Sequence, residues 1–333
     1  MAFAHLLEVD DIHSHLTVKD GTVSAVNGVS FTVDAGETLG IVGESGSGKS
    51  MTALSIMRLL PRSGSIVRGK VTFKGRVLTE LSEEEMESIR GTEIAMIFQD
   101  PMTSLNPVYR TGWQVGEPLR IHRHVDTRTS IKAAVDLFKK VGIPDASKRV
   151  GEFPHMFSGG MRQRAMIAMG LSTSPSLLIA DEPTTALDVT IQAQILELLR
   201  TLNRDYGTAT ILIIHNLGVV AGMCDRVIVM YAGRVVEQGR TEDVFARPEH
   251  PYTWSLLRSI PRLDADEHEP LKPIDGSPPD MIRLPTGCKF TPRCPFAIAR
   301  CAKEEPELLA VRDQLSRCWV TQGGVTLDGA DLG

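Results

Sequence analysis

Residues 37–50 read Glu37-Thr-Leu-Gly-Ile-Val-Gly-Glu-Ser-Gly-Ser-Gly-Lys-Ser50, a short apolar run that passes directly into a glycine-rich turn. The apolar run is typical of a buried strand, and the residues from Ser50 to Leu60 have helical composition before Pro61. The turn fits the pattern G-x-x-x-x-G-K-S/T in the strand-to-helix context that a phosphate-binding loop, or P-loop, requires. The stretch therefore predicts a P-loop at the end of a buried strand.

Each residue type in this turn has a chemical reason to be there. Glycines let backbone N–H groups converge on a phosphate, and the start of a helix adds partial positive charge. We expect Lys49 to reach the β- and γ-phosphates of a nucleotide and the Ser50 hydroxyl to bind Mg²⁺. The residues predicted to line the phosphates are Gly43, Glu44, Ser45, Gly46, Ser47, Gly48, Lys49, Ser50 and Met51.

Alternating strand and helix patterns extend on both sides of the P-loop. Residues 23–33 are β-rich, and residues 177–180 and 210–214 are short apolar runs typical of buried strands. A helix is predicted between those two runs, at 191–203, and an amphipathic helix at 131–141. Buried strands that alternate with helices indicate an α/β domain with a mainly parallel sheet.

Composition limits the class of protein. The 333 residues are 42% hydrophobic and 23% charged, as in an ordinary globular protein. A formal net charge of −5 argues against a general nucleic-acid binder. Because no apolar run approaches the roughly 18 residues needed to cross a bilayer, and the first residues lack a secretory pattern, we expect a cytoplasmic chain that serves a membrane as a peripheral subunit.

Two further segments carry chemistry beside the P-loop. The apolar run at 177–180 ends in Asp181 and Glu182, where Asp181 would hold Mg²⁺ and Glu182 would act as general base on the attacking water. Ser158, Gly159, Gly160 and Met161 precede a predicted helix. Taken alone, that second segment is either another phosphate cradle or a flexible turn.

The segment Ser158–Met161 resembles the signature motif of ATP-binding-cassette (ABC) proteins, with Met161 where Gln is commoner. The resemblance implies that this segment closes over ATP held by a second ATPase subunit in a head-to-tail dimer. Other motifs follow in the family's order: Gln99 would sense Mg²⁺ and the γ-phosphate, Asp188 would lie at the dimer seam, and His215 would contact the γ-phosphate and assist hydrolysis.

Two positions depart from the family pattern. Asn216 stands where the family usually has Asp, which weakens an expected hydrogen bond but leaves His215 intact. The aromatic residue that usually stacks on adenine is missing, and His15 or Leu16 occupies its place. The fold implied is an α/β ABC ATPase with a P-loop, RecA-like core, an antiparallel β subdomain and a helical signature subdomain at about 102–157.

Three longer stretches resemble the ATPases of oligopeptide and dipeptide importers. They are the extended segment 98–107, the His250-Pro251-Tyr252-Thr253 segment with its continuation to Pro261, and the cysteine-bearing stretch from Gly287. The resemblance implies a nucleotide-binding domain at 1–246 and a C-terminal extension at 247–333. It also implies partners: a second, different ATPase subunit, two transmembrane permease subunits and an extracytoplasmic substrate-binding protein.

Four of the five cysteines, Cys288, Cys294, Cys301 and Cys318, crowd into the tail, whereas Cys224 is expected to be a buried core thiol. The spacing alone leaves zinc, an iron–sulfur cluster and free thiols open. Some members of the peptide-importer group hold a 4Fe–4S cluster in this tail, so the resemblance favours that cofactor, with a structural role, and Zn²⁺ as the alternative.

Three other functions compete with the peptide importer. The same ATPase could serve another solute, such as nickel complexes. Soluble ABC ATPases that act on ribosomes or DNA usually carry two cassettes or a long coiled coil, and this chain shows neither pattern. A module that binds ATP without hydrolysing it is disfavoured because Glu182 and His215 are both present.

Overall fold

The computed structural model describes residues 4–100, 104–185, 187–259 and 274–327. Backbone contacts divide the chain into two compact units. The helical unit comprises Val33–Thr38 and Glu80–Ile213 with the N-terminal residues up to Leu6, and the P-loop unit comprises Leu7–Thr32, Leu39–Thr79 and the chain from Ile214 onward. The predicted boundary between 246 and 247 stays a prediction, and the proline-rich, acidic part of the predicted linker at 260–273 lies outside the described residues.

The P-loop unit contains two groups of strands. The first group forms a four-stranded sheet in the order β2-β1-β4-β5, which agrees with the expected antiparallel subdomain because β1 pairs antiparallel with β4 and β4 with β5. Its strands are β1 Leu7–Val18, β2 Gly21–Val33, β4 Gly64–Phe73 and β5 Arg76–Val77. A bulge interrupts the β1–β4 register between Asp10 and His13.

The second group has the order β11-β12-β10-β9-β3. Its strands are β3 Thr38–Val42, β9 Arg226–Tyr231, β10 Arg234–Arg240, β11 Leu309–Val311 and β12 Gln314–Ser316. Only β3 and β9 pair in parallel here; β9–β10, β10–β12 and β11–β12 are antiparallel. The strand β3, on which the prediction of a parallel sheet rested here, pairs in parallel as expected, and the antiparallel pairs are an addition that the sequence did not predict. The first of these pairs arises because Ala232 and Gly233, both at positive φ, form a two-residue hairpin that reverses the chain.

The described part of the P-loop unit contains five α-helices. They are α1 Lys49–Met57, α9 Leu217–Met223, α10 Thr241–Ala246, α11 Pro251–Arg258 and α12 Trp319–Gln322. The predicted helix after the P-loop is confirmed as α1, which ends at Arg58 in a left-handed conformation three residues before Pro61. Cys224 directly follows α9, is buried, and would contact any side chain added at Gly40, so the predicted core thiol is confirmed.

The helical unit is built on the parallel strands β6 Ile94–Ile97, β7 Leu177–Asp181 and β8 Ala209–Ile213, in the order β8-β7-β6. Every residue of β7 and β8 is buried, as expected for parallel strands covered on both faces. The helices are α2 Glu83–Ile89, α3 Thr111–Val115, α4 Glu117–Arg123, α5 Thr127–Lys140, α6 Ala146–Arg149, α7 Gly159–Gly170 and α8 Val189–Tyr206. The predicted helices at 131–141 and 191–203 are confirmed as α5 and α8, both begun by an aspartate cap.

Among the described residues, no helix is long and apolar enough to cross a membrane.

The C-terminal tail adds to the sheet of the P-loop unit instead of forming a separate appendage. Strand β12 pairs with β10 through Glu237 and Ser316. The Glu237 carboxylate is fully buried and accepts the backbone N–H groups of Glu249 and His250, at 2.5 and 3.0 Å. The Ser316 hydroxyl donates to the Glu249 carbonyl at 2.8 Å. One carboxylate thus ties β10 to the start of α11.

Burial of Glu237 predicts a pH-dependent stability. Desolvation raises the pKa of Glu237 from 4.5 to about 8, although the hydrogen bonds from Thr253, Glu249 and His250 oppose the shift. The folded chain therefore holds a proton that the unfolded chain has lost between about pH 4.5 and pH 8, so the free energy of unfolding falls as the pH rises through that window. Glu237→Gln should show a smaller fall, measured as urea midpoints at pH 5.5 and 8.5.

The control is Glu242→Gln, because the Glu242 side chain is 89% exposed on the neighbouring helix α10. This control should keep the wild-type pH dependence. An identical fall in the wild type and in Glu237→Gln would contradict the assignment of that slope to Glu237.

Candidate active site

The P-loop connects β3 to α1, and two of its glycines are required by their surroundings. Gly48 is the N-cap of α1 at φ 101°, and a Cβ there would lie 2.4 Å from the carbonyl oxygen of Ala25. Gly43 has φ 150°, and its Cβ would lie 2.2 Å from the carbonyl oxygen of Met230. Other residues would clash at both positions, so the loop backbone lies directly against its neighbouring strands.

Lys49 lies buried at the start of α1, with its ammonium group directed back into the loop. Its Nζ donates to the carbonyl oxygens of Gly43 at 2.8 Å and Glu44 at 3.0 Å. His215 Nδ1 lies 3.4 Å from Nζ and 3.3 Å from the Gly43 oxygen. The structure thus brings together the predicted lysine and histidine, although 166 positions separate them in the chain.

Asn216, the departure from the family pattern, has a local role. Its side-chain oxygen accepts the backbone N–H of Gly218 at 2.9 Å and caps α9. Cap formation needs only a side-chain oxygen, which Asn supplies as well as Asp does. His215 therefore lies immediately before a helix that Asn216 caps.

Glu44 makes contacts that the sequence did not predict. The Tyr252 hydroxyl oxygen accepts its backbone N–H at 2.8 Å. Its carboxylate accepts two hydrogen bonds from the Arg293 guanidinium, at 2.7 and 3.0 Å. Two residues from the C-terminal part of the chain thus contact the P-loop.

In the helical unit, Glu182 follows β7 and has an unusual backbone. Its φ is 47°, a left-handed conformation that non-glycine residues adopt rarely and mostly at functional sites. Its buried carboxylate accepts hydrogen bonds from Gln99 Nε2 at 2.6 Å and from the Thr185 hydroxyl at 3.1 Å, both at Oε2. The predicted Gln99 and Glu182 are therefore in direct contact, whereas Thr185 was missed, because a hydroxyl three residues after a carboxylate has no distinctive sequence pattern.

The signature segment forms the start of α7. The Ser158 hydroxyl accepts the Met161 N–H at 3.3 Å as the helix cap, and both Ser158 and Gly159 are exposed. A Cβ on Gly160 would lie 2.9 Å from Ile191 of α8, so α7 and α8 are close at this point. Asp188 caps α8 by accepting the Ile191 N–H at 2.9 Å, and the next residue, Val189, is 81% exposed.

Some predicted motif positions cannot be placed. Pro101, in the segment after Gln99, and Ala186, between Thr185 and Asp188, lie outside the described residues. His15, one of the two residues at the adenine position, lies half-buried in β1 with Nε2 3.4 Å from the Ser24 hydroxyl. Leu16, the other, is half-buried beside Gly64.

The predicted metal centre is the part of the site that the geometry supports least. All four tail cysteines line one small cavity: Cys288, Cys294, Cys301 and Cys318. Yet no group of three or more His, Cys, Asp or Glu side chains in the described part of the chain is placed to hold a metal ion. Burial raises the pKa of the Cys294 thiol to about 12, and it also raises the pKa of Cys288 and Cys318. The described cysteine side chains of the tail are therefore buried or half-buried thiols that are not arranged around a metal ion.

Comparison with known proteins places this geometry in a family. A sequence profile described as "ABC transporter" matches residues 26–185, and one described as "Oligopeptide/dipeptide transporter, C-terminal region" matches residues 236–301. The chain is 52% identical to the oligopeptide transport ATP-binding protein OppD of Haemophilus influenzae, over 95% of this chain and 97% of that protein. It is 54% identical to OppD of Salmonella typhimurium, over 90% of this chain and 89% of that protein.

A solved structure confirms the fold. The dimeric structure of an ATP-binding cassette in a post-hydrolysis state, bound to ADP and Pi, matches with a TM-score of 0.64 and 25% identity over 71% of this chain and 98% of that one. The α/β architecture and the identity with both OppD proteins agree. The chain belongs to the ATP-binding subunits of oligopeptide-type ABC transporters.

Proposed function

We propose that this chain hydrolyses ATP to energise a membrane importer of peptides, by nucleotide-driven dimerisation with a second ATPase subunit. The observation that carries the proposal is the P-loop itself, in which the buried Lys49 ammonium and His215 lie together at a glycine turn. The resemblance to oligopeptide transport ATP-binding proteins along 95% of the chain supports the same function.

In the P-loop unit, residues 43–51 would surround the phosphates of ATP. Lys49 would exchange its bonds to the Gly43 and Glu44 carbonyls for bonds to the β- and γ-phosphates. The buried Ser47 hydroxyl has no hydrogen-bond partner among the described residues, as expected of a group that awaits a ligand. Ser50 would bind the Mg²⁺ that arrives with ATP, and His215 would contact the γ-phosphate.

In the helical unit, Glu182 would act as the general base. A base must be held in one orientation, and the two donors on its Oε2, from Gln99 and Thr185, hold this carboxylate in place. Asp181, at the end of β7, would hold Mg²⁺ through water or directly, and Gln99 would exchange its bond to Glu182 for a contact with Mg²⁺ and the γ-phosphate.

The partner ATPase would meet the exposed signature surface. The 12-residue helix α7 begins at the exposed Ser158 and Gly159, and the start of a helix suits an anion brought by another subunit. Asp188 would lie at the same seam, beside the exposed Val189. Because each composite site takes its P-loop from one chain and its signature from the other, the two ATPases must dimerise head to tail.

The membrane partners would be two permease subunits, with an extracytoplasmic substrate-binding protein delivering the peptide. The helical unit exposes large apolar side chains where permease helices would dock, at Phe98, Val108, Tyr109, Ile121 and Met156. The chain would then lie peripherally on the cytoplasmic face of the cell membrane.

The role of Glu182 is tested by Glu182→Gln in the reconstituted transporter. The amide keeps the shape of the side chain but cannot accept the proton of water, so ATP hydrolysis should fall by about 10²–10⁴-fold while ATP binding remains. Glu197→Gln is the control, because Glu197 is exposed on α8 and pairs with Arg200. Normal phosphate release by Glu182→Gln would contradict the assignment of the base.

The substrate class is tested on the complex co-purified with its permeases. In proteoliposomes that contain the binding protein, short peptides should stimulate ATP hydrolysis and accumulate inside, whereas nickel complexes should do neither. Stimulation by nickel complexes alone would replace the peptide assignment while keeping the ATPase assignment. Co-purification with ribosomes or DNA in place of permeases would contradict the proposed membrane partners and the proposed location at the membrane.

We also propose that the tail holds a 4Fe–4S cluster with a structural role. Four cysteines line one apolar cavity, and cysteine sulfurs are the ligands by which proteins hold iron–sulfur clusters. The same four sulfurs could hold one zinc ion, and it is the resemblance to peptide-importer ATPases that favours the cluster. When bound, the cluster would cross-link the tail.

Metal analysis of protein prepared without oxygen tests this proposal. A cluster predicts about four irons per chain and a broad visible absorbance band, both lost in Cys294→Ser. Cys224→Ala is the control, because Cys224 lies outside the cavity. One zinc per chain would favour the alternative, and protein free of both metals would contradict any metal centre.

A further inference from the structure

Three separate contacts converge on Glu44, the second residue of the P-loop. Its backbone N–H is bonded to Tyr252, its carbonyl oxygen accepts Lys49 Nζ, and its carboxylate is paired with Arg293. The Lys49 contact belongs to the nucleotide site, whereas the other two come from the C-terminal part of the chain. Glu44 therefore connects the tail to the group expected to bind phosphate.

The ion pair to Arg293 is oriented and largely shielded from water. The guanidinium donates through both terminal nitrogens to the two carboxylate oxygens, and the Arg293 side chain is only 4% exposed. Paired hydrogen bonds of this kind fix orientation as well as distance. The pair thus restrains the direction in which Glu44 points.

Arg293 is itself held in place by the tail. It ends a short 3₁₀ turn, Thr291–Arg293, between Cys288 and Cys294. Its Nε donates to the Asp275 carbonyl at 3.0 Å, and its neighbour Phe290 is buried against aromatic rings of the P-loop unit. The terminal nitrogens of Arg293 also donate to the Tyr231 hydroxyl at 3.4 Å and to the Ile274 carbonyl at 3.5 Å. Because these contacts do not involve Glu44, Arg293 has a defined position from which to act on it.

Tyr252 provides the second restraint. Its ring is fully buried, 4.6 Å from Tyr231 and 5.4 Å from Phe290 between ring centres. Its own N–H donates to His250 Nδ1 at 3.1 Å, which caps α11, and Pro251 occupies the first turn. The His250-Pro251-Tyr252 sequence therefore builds a rigid helix start that directs one hydroxyl to the P-loop.

We propose that Arg293 and Tyr252 are positioning residues for nucleotide binding: they hold Glu44 so that the cysteine-lined segment of the tail sets the geometry of the P-loop around Lys49. This inference rests on the proposed binding of ATP by the P-loop. A simpler role, in which the ion pair only anchors the tail, predicts that breaking the pair lowers stability and leaves nucleotide affinity unchanged.

The first test measures MgADP affinity by calorimetry on the full-length chain in its assembled complex. Arg293→Ala should weaken the affinity about tenfold, a typical coupling between groups in direct contact. Arg293→Lys should weaken the affinity less, because lysine keeps the positive charge but lacks the paired N–H donors of the guanidinium group. Arg300→Ala is the matched control in the same tail, since Arg300 pairs with the exposed Glu304, and it should bind MgADP as the wild type does.

Tyr252→Phe separates positioning from folding. It keeps the buried ring and removes only the acceptor for the Glu44 N–H, so MgADP affinity should fall although the melting temperature changes little. Metal content is measured in every variant, because a loss of affinity that follows lost metal would have another cause. Unchanged affinity in both Tyr252→Phe and folded Arg293→Ala would overturn the proposal.

A double-mutant cycle then asks whether Arg293 acts through Glu44. In a Glu44→Ala background, Arg293→Ala should cause little further loss of affinity, since the carboxylate that Arg293 contacts is already absent. Losses that multiply independently would overturn the proposed route. If the wild-type complex did not bind MgADP at all, the proposed function itself would be refuted. That outcome is distinct from a wild type that binds MgADP and variants that bind it equally well, which would refute only the positioning role.

Discussion

The P-loop unit depends on one steric constraint, the close approach of the P-loop backbone to two strands. A side chain at Gly43 would meet the carbonyl oxygen of Met230 in β9, and one at Gly48 would meet that of Ala25 in β2. With both glycines in place, the loop carbonyl of Ser47 accepts the N–H of Gly233 at 2.9 Å. The loop is thereby fixed between strands, and α1 must begin where its first residue, Lys49, points back into the turn.

In the helical unit, the backbone of Glu182, directly after β7, is likewise fixed by its neighbours. A left-handed residue other than glycine costs about 1–2 kcal/mol, so its neighbours must hold it there. The Glu182 N–H donates to the Ile213 carbonyl at 2.9 Å, its own carbonyl accepts the Thr185 N–H at 3.1 Å, and its carboxylate takes two side-chain donors. The same set of contacts therefore holds the strained backbone of Glu182 and directs its carboxylate to Gln99.

Local sequence patterns were sufficient to predict the elements that are determined by a few neighbouring residues. The P-loop turn, the buried strands β7 and β8 and the capped helices α5 and α8 each carry their determinants within a few residues, and each lies close to its predicted place. The antiparallel β9–β10 pair was missed because its hairpin, Ala232-Gly233, lacks the usual Asn-Gly signal. The strands of the tail were missed because β12 is three residues long and exists only through its pairing with β10.

Local sequence patterns could not predict the contacts between distant parts of the chain. Tyr252 and Arg293 lie 208 and 249 positions from Glu44, and neither spacing nor composition could pair them. The resemblance to peptide-importer ATPases singled out the His250-Pro251-Tyr252 segment but supplied no reason for it. The structure supplies one: His250 is buried and uncharged, because burial lowers its pKa to about 3, and can therefore accept the hydrogen bond that starts α11.

The buried polar groups of the tail have a common consequence. Glu237 binds the chain at Glu249 and His250, His250 orients Tyr252, and Tyr252 reaches Glu44, so each hydrogen bond is made by a group that the previous one has positioned. A buried polar group costs free energy unless its partner is in place, so the members of such a chain form together or not at all. The tail and the P-loop therefore behave as one cooperative structure within the P-loop unit, despite their separation in sequence.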